Sequence, residues 1–233
     1  MSQVVTQTVP RHLGLILDGN RRWAKAHGLS VAEGHRRGYL NLKAISEEAF
    51  DEGVEYVSAY VFSTENWSRS ATEVRDIMKL LLWVLKHEIE NLSKHGIRVR
   101  AIGSKLRIGK ALVKAIHNAE EKTKFNDRGT LLLCLDYGGQ QEIVDAMKRM
   151  LAEGVPADEI TPERISKHLY APDVPPVDLI IRTSGEQRIS NFMMWEGAYS
   201  ELMFTDTYWP DFSKEELHRM FADYANKQRR FGK

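Results

Sequence analysis

Short apolar runs separated by amphipathic helical stretches recur along the whole of this chain, and that alternation commits it to a mostly parallel sheet with crossover helices. The strand-like runs fall at 12–17, 56–62, 97–102, 130–135, 177–181 and 200–205. Between them the apolar spacing predicts helices over about 35–51, 72–94 and 106–124, another after Gly138-Gly139, a short one opened by Thr161-Pro162, and a last one after Ser213. Ser70 with Glu73, and Ser213 with Glu216, have the spacing of capping boxes. The helix at 72–94 is apolar around more of its circumference in its first half than one core-facing stripe requires, which predicts apolar neighbours on both sides. With 233 residues and no repeat or convincing linker, the chain reads as one α/β domain over 12–233, preceded by a flexible segment at 1–11.

Composition narrows the function by exclusion. Lys+Arg total 33 against 32 Asp+Glu, so no global charge recommends a nucleic-acid partner and any anion site must be local. The single cysteine, Cys134, sits in the apolar run Leu131-Leu132-Leu133-Cys134-Leu135 and reads as a small core residue of a cytoplasmic protein. The opening ten residues lack the pattern of a signal peptide, no apolar run is long enough to span a bilayer, and the histidines and cysteine form no zinc-like cluster. No P-loop pattern and no nucleophile with a paired base occurs, which argues against a nucleotide hydrolase or a phosphatase.

Chemistry-bearing residues gather where strands end. Asp18-Gly19-Asn20-Arg21-Arg22-Trp23 follows the first apolar run, Phe62-Ser63-Thr64-Glu65-Asn66-Trp67-Ser68-Arg69 follows the second, and Arg182 to Asn191 follows the fifth. In a parallel sheet these C-terminal strand ends share one edge, where ligands bind. Asp18 can hold a hard cation against phosphate oxygens, and Arg22 with the following helix N-terminus favours an anion beside it. Arg182, Arg188 and Ser190 have the makings of a phosphate clamp, because guanidinium forks match phosphate oxygens in pairs. Structural readings stand beside these: a strand-end Asp, a turn held by Ser63 and Asn66 with Trp67 as a lid on the core, and solvated surface arginines. The combination of phosphate grips and carboxylates points to a magnesium-dependent diphosphate enzyme.

Taken in order, these segments resemble the cis-prenyltransferases, the undecaprenyl diphosphate synthase or isoprenyl transferase family, over roughly residues 12–232. The resemblance rests on Asp18-Gly19-Asn20-x-Arg22-Trp23, Gly34-His35, Phe62-Ser63-x-Glu65-Asn66-Trp67, Tyr137-Gly138-Gly139, Arg182-Thr183-x-Gly185-Glu186-x-Arg188-x-Ser190-Asn191-Phe192, Glu201, Trp209-Pro210-Asp211-Phe212 and Arg229-Arg230-Phe231-Gly232. It implies a cis-prenyltransferase-like fold with an apolar tunnel. The implied enzyme is a Mg²⁺-dependent homodimer that joins isopentenyl diphosphate to an allylic diphosphate, farnesyl or geranyl, with the new double bond in cis. By the same resemblance Asp18, Asn20, Ser63 and Asn66 would be catalytic. Gly19, Asn20, Arg22 and His35 would surround the allylic diphosphate, with Arg21, Trp23, Glu65, Trp67 and Arg69 adding substrate contacts. Arg182, Arg188 and Ser190 would clamp isopentenyl diphosphate. Asp18 would hold Mg²⁺ together with Glu201 reaching across the dimer, and Arg230 and Gly232 would close over the phosphates. The proton lost on condensation could pass to Asn20, Ser63 or a diphosphate oxygen.

The chain departs from the family pattern at four positions. Val31 stands four residues before His35 where many members carry an arginine, and Arg21 replaces a common glycine and can supply that charge. Val61 stands where a smaller alanine is common at the tunnel mouth, and Ser104 where an aspartate often follows Ile-Gly. A bulkier tunnel predicts a short or medium product, so a short-chain cis-prenyl diphosphate synthase is the alternative within the family. A non-catalytic partner subunit of a heteromeric enzyme is the alternative outside catalysis, and the intact first motif argues against it. A long product would bring transient contact with a membrane surface.

Overall fold

The computed structural model describes residues 9–227. Six parallel strands form one sheet in the order β3-β4-β2-β1-β5-β6. They are β1 (His12–Ile16), β2 (Tyr56–Ser63), β3 (Ile97–Ile102), β4 (Gly129–Tyr137), β5 (Leu179–Arg182) and β6 (Glu201–Phe204). The helices are α1 (Asn20–Ala26), α2 (Val31–Asp51), α3 (Ala71–His87), α4 (Ile89–Lys94), α5 (Lys110–Thr123), α6 (Gly139–Ala152), α7 (Pro162–Ser166) and α8 (Lys214–Ala225).

Period-two alternation divides the strand side chains between two cores. Leu131, Leu133 and Leu135 of β4, with Leu13, Leu15, Leu179 and Ile181, face a large core beneath α2, α3, α5 and α8. Leu132, Cys134 and Tyr137 face a smaller core with Ile16, Ile180 and Phe192 on the opposite side. Because both faces are covered, all nine residues of β4 are buried. The central strand β1 pairs with β2 on one side and β5 on the other, Ile16 lying opposite Arg182. Chain order therefore reverses at β1, and the crevice beyond its C-terminal end is the topological switch point where open α/β sheets bind ligands.

Three local expectations need correction. The helix predicted over 72–94 is broken at Glu88, which ends α3 and precedes α4; the Glu88 carboxylate is held by Lys43 Nζ at 3.0 Å. The helix predicted from 106 starts only at Lys110. Gly103 adopts φ 127° and Arg107 reaches back to Asp136, so 103–109 follows the sheet edge as a loop that leaves Leu106 exposed. Neither predicted capping box closes reciprocally. Ser70 and Ser213 do cap α3 and α8, but the Glu73 carboxylate turns to Arg69, and that of Glu216 accepts from Thr205. The reciprocal box is formed instead by Ser63 and Asn66, in the short 3-10 turn Thr64–Ser68 that follows β2.

Candidate active site

Three hollows meet at the C-terminal edge of β1. An apolar cavity of about 140 Å³ runs under α2 and α3, lined by Leu42, Val61, Ile77, Leu81, Leu85 and Leu133 among others. A groove of about 750 Å³ carries Asp18, Asn20, Arg21, Arg22, His35 and Arg188. A second groove of about 500 Å³ carries Asp18, Ser63, Glu65, Asn66, Arg182 and Ser190. Leu17 and Arg69 line all three, Asp18 is shared by the two grooves, and Asn20 and His35 join the cavity to the first.

Asp18 is pinned by its backbone and flanked by arginines at its carboxylate. Its carbonyl accepts from Trp209 N at 3.0 Å and from Thr183 Oγ1 at 2.7 Å. Oδ2 accepts from Arg182 Nη2 at 2.8 Å, while Arg22 Nη2 lies 3.5 Å from Oδ1. Gly19, at φ 106°, turns the chain into α1, and a Cβ there would fall 2.8 Å from Ser184 Oγ. A left-handed φ and a close approach together make glycine the fitting residue.

Asn20 opens α1 and donates through Nδ2 to Leu17 O at 3.0 Å. Helix α2 lies so close over it that a Cβ on Gly38 would stand 2.2 Å from Asn20 Oδ1, and one on Gly34 would stand 2.3 Å from the Asn20 carbonyl. His35, one turn before Tyr39 on the same helix, puts Nε2 at 3.4 Å from Glu73, and burial lowers its pKa against the pull of that carboxylate. Glu73 also accepts from Arg69 at 2.9 Å and lies 3.6 Å from Arg21. The glutamate freed from the α3 cap thus gathers the cations of the first groove.

On the other side of Asp18, Arg182 is almost wholly buried and donates through Nη1 to Ser190 Oγ at 2.7 Å and to the Arg188 carbonyl at 2.5 Å. Glu65 accepts from Asn191 Nδ2 at 2.9 Å. Around Asp18, three buried polar atoms have no protein partner: Asn20 Oδ1, Arg182 Nε and Ser184 Oγ. Buried polar groups are ordinarily satisfied, so a cluster of open ones marks a surface made for a polar ligand.

The structure brings together Asp18, Gly19, Asn20, Arg21, Arg22, His35, Ser63, Glu65, Asn66, Arg69, Arg182, Arg188 and Ser190. It separates others. Trp23 is buried, with its indole N–H donating to Asp211 at 2.7 Å and its ring stacked on His27, so it packs α1 and lines none of these hollows. Trp67 donates to Asp136 at 2.7 Å, packs edge-on to Phe62 beneath Arg107, and is the lid on the core. Arg188 stays at this edge but lines the first groove, paired with Glu186, rather than the groove of Arg182 and Ser190. Glu201 pairs with Leu179 in register and bonds to Lys227 at 3.0 Å, so within one chain it lies roughly 10 Å down the sheet from the level of Arg182. Arg230 and Gly232 lie outside the described residues. Gly38 was not singled out from sequence, and Glu73 only as a helix cap; the Gly34/Gly38 spacing of one helical turn was the available signal for the former.

A metal ligand set can be judged by its chemistry. Asp18 offers hard oxygen between two cation-lined grooves, which matches Mg²⁺, an ion usually held by one or two carboxylates plus substrate phosphates. Among the described residues the one His/carboxylate cluster is Glu48, Glu52 and His218, on α2, just after it and on α8, away from this edge. Also among them, no helix is long and apolar enough to cross a membrane.

Comparison with known proteins agrees with this architecture. The family model of undecaprenyl diphosphate synthases matches residues 16–232. An isoprenyl transferase of Fusobacterium nucleatum is 45% identical over 97% of this chain and 97% of its own length. A trans,polycis-polyprenyl diphosphate synthase of Thermobifida fusca, specific for (2Z,6E)-farnesyl diphosphate, is 44% identical over 99% of this chain and 83% of its own. The crystal structure of lavandulyl diphosphate synthase from Lavandula x intermedia in complex with dimethylallyl diphosphate superposes with a TM-score of 0.93 at 34% identity, covering 97% of this chain and all of that one.

Proposed function

Because the chain belongs to the undecaprenyl diphosphate synthase family of isoprenyl transferases, we propose that it condenses isopentenyl diphosphate with an allylic diphosphate primer, farnesyl or geranyl diphosphate, to a cis-polyprenyl diphosphate and releases diphosphate. The observation that carries this reading is the junction of one apolar cavity with two cation-lined grooves across a single carboxylate. One substrate tail and two diphosphate heads need that arrangement.

The allylic head would sit with Arg21, Arg22 and His35, its tail in the cavity; Arg21 and Val31 line the same groove, which supports Arg21 as the replacement charge. Arg182 and Ser190 would hold isopentenyl diphosphate. Asp18 would hold Mg²⁺, which when bound would supply neutralisation of the charge that develops on the departing diphosphate. Arg22 and Arg182, fixed beside Asp18 before the reaction, act on the same charge without reorganisation. The leucine- and isoleucine-lined cavity keeps water from the electron-poor allylic carbon. Of the possible bases, Ser63 Oγ already accepts from Asn66 N and Asn20 is a neutral amide, which favours a diphosphate oxygen as the proton acceptor. Glu201 would complete the metal shell only from a second copy, in a homodimer. The domain spans 12–233, and the cytoplasm, with transient membrane contact, is the expected setting.

The shorter-chain reading is supported by Val61, which lines the cavity where the family commonly has a smaller alanine. The test is to incubate purified protein and Mg²⁺ with labelled isopentenyl diphosphate and, separately, dimethylallyl, geranyl or farnesyl diphosphate, then resolve products by length and geometry. Cis products ending at one length support the proposal; no incorporation from any primer by a folded protein refutes it.

A further inference from the structure

Behind the Arg182 and Ser190 clamp, on the face of the sheet away from the apolar cavity, two glutamates that line none of the hollows described face each other. Glu142, in the first turn of α6, accepts from Tyr137 Oη at 2.5 Å and from Tyr170 N at 2.8 Å, one bond on each carboxyl oxygen. Glu196 packs against it, and Glu196 Oε2 is buried with no donor to serve it. Two ionised carboxylates cannot share a buried site without a cation between them, so a proton belongs there.

The groups around the pair offer no substitute for that proton. From β4 come Tyr137 and Cys134, both kept neutral as burial beside the glutamates pushes them up. From α6 come Asp145, which accepts from Tyr170 Oη and lies 3.6 Å from Lys148 Nζ, and Arg149, the cation that acts on Glu142. Arg149 is spent on the His168 carbonyl and lies over the Tyr170 ring. The segment after α7 contributes Tyr170.

The pair sits at the seam between α6 and the clamp loop. Gly139 N and Gln140 N, at the start of α6, donate to the carbonyl and Oδ1 of Asn191 at 2.8 Å each. Tyr60 Oη donates to the carbonyls of Tyr137 and Ser190, and its ring stacks on Phe192. Ser184, Ser190, Asn191 and Met193 all hold positive φ, from 41° to 78°, a conformation that non-glycine residues keep only when their surroundings impose it. Glu196 follows three residues after Met193, and its carbonyl accepts from Val177 N at 2.9 Å, so the segment that leaves this loop carries the second glutamate to the first turn of α6.

We propose that a proton shared by Glu142 and Glu196 holds the clamp loop in its binding conformation, so that affinity for isopentenyl diphosphate falls when the pair loses that proton. Both are positioning residues, and the inference rests on assigning Arg182 and Ser190 to that substrate. Burial, then the charge of Glu142, pushes the Glu196 carboxyl up to about 8, which sets the pH range of the effect.

Glu196→Gln replaces the shared proton with a permanent N–H donor of the same shape. Isopentenyl diphosphate, without primer, is titrated calorimetrically into both proteins from about pH 7 to 9.5. The wild type is expected to bind about tenfold more weakly at the alkaline end, the equivalent of about one pKa unit, and the variant to stay within about twofold throughout. Parallel losses in the two proteins overturn the inference. Thermal melting tests proton sharing separately. The folded state holds the extra proton only between the ordinary carboxyl range and about pH 8, so the wild-type Tm should fall relative to Glu196→Gln across that window and run parallel above it. Coincident curves overturn the shared proton. If Glu196→Gln does not fold, Glu196→Met, which likewise cannot ionise, should also bind isopentenyl diphosphate without the alkaline loss. Absence of any isopentenyl diphosphate binding by the wild type near pH 7 overturns the functional reading, and this inference with it.

Discussion

Gly38→Ala separates the folding role of α2 from its role in shaping the site. An ideal Cβ at this position falls 2.2 Å from Asn20 Oδ1 and 2.9 Å from its Cγ. A carbon–oxygen contact relaxes only near 3.3 Å, so the amide must retreat by roughly 1 Å. Asn20 Oδ1 is the far end of a side chain, so the backbone need not move. The retreat strains or breaks the 3.0 Å bond from Asn20 Nδ2 to Leu17 O, costing about 1 kcal/mol. Against this, alanine gains about 1 kcal/mol over glycine in a helix interior. Net stability should therefore change by less than about 1 kcal/mol, while a group at the junction of cavity and groove is displaced by about 1 Å. Such a displacement can lower kcat/KM by about a hundredfold, equivalent to about 2.7 kcal/mol of transition-state binding. Urea unfolding and steady-state condensation kinetics on the same preparation check both halves. Unchanged kcat/KM, or a loss of activity matched by a loss of several kcal/mol in stability, would refute the reasoning. Gly34→Ala makes the contrast, since its Cβ meets the Asn20 carbonyl at 2.3 Å and backbone cannot step aside cheaply.

Asp18→Ala should abolish turnover while circular dichroism reports a folded protein; retained activity would remove Asp18 from the metal and diphosphate role. Arg182→Ala should raise KM for isopentenyl diphosphate by about tenfold or more, the loss of at least one charge-assisted bond; an effect confined to the allylic substrate would exchange the two grooves. His12 is buried between Ser58 Oγ and the Pro175 carbonyl, and burial lowers its pKa from 6.5 to about 4. The unfolded chain binds the proton first, so stability is complete above about pH 6.5 and falls by about 3 kcal/mol as pH drops toward 4; in urea unfolding, His12→Gln should lack that component. Val61→Ala should widen the cavity and lengthen the main product, and an unchanged product length would mean that Val61 does not limit it.

Strand positions were legible in the sequence because burial on both faces writes a continuous apolar run, as in Leu131-Leu132-Leu133-Cys134-Leu135. The motifs at the strand ends were legible for a related reason: a parallel sheet sends them all to one edge. Side-chain destinations were less so. Trp23 and Trp67 sit inside functional motifs yet serve packing, because an indole N–H that finds Asp211 or Asp136 is satisfied within the protein. Glu73 matched a capping box, and only the approach of α2 reveals that it faces cations instead. The break at Glu88 leaves no trace in the apolar periodicity, because Ile89 and Leu92 beyond it are buried like Val84 and Leu85 before it. The Glu142 and Glu196 pair was invisible because its members are brought together only by the docking of a loop on a helix.

The bond from Arg182 to Asp18 joins residues 164 positions apart. Because β1 lies between β2 and β5, a chain emerging in order can pair β1 with β2 early and must leave the other edge of β1 bare until β5 arrives. The groove that needs Arg182 and Ser190 is therefore among the last parts of the molecule to exist, assembled by a late closure of high contact order. A ligand bridging Asp18 and Arg182 would fasten that closure, and its protection against amide exchange should concentrate where β5 docks on β1.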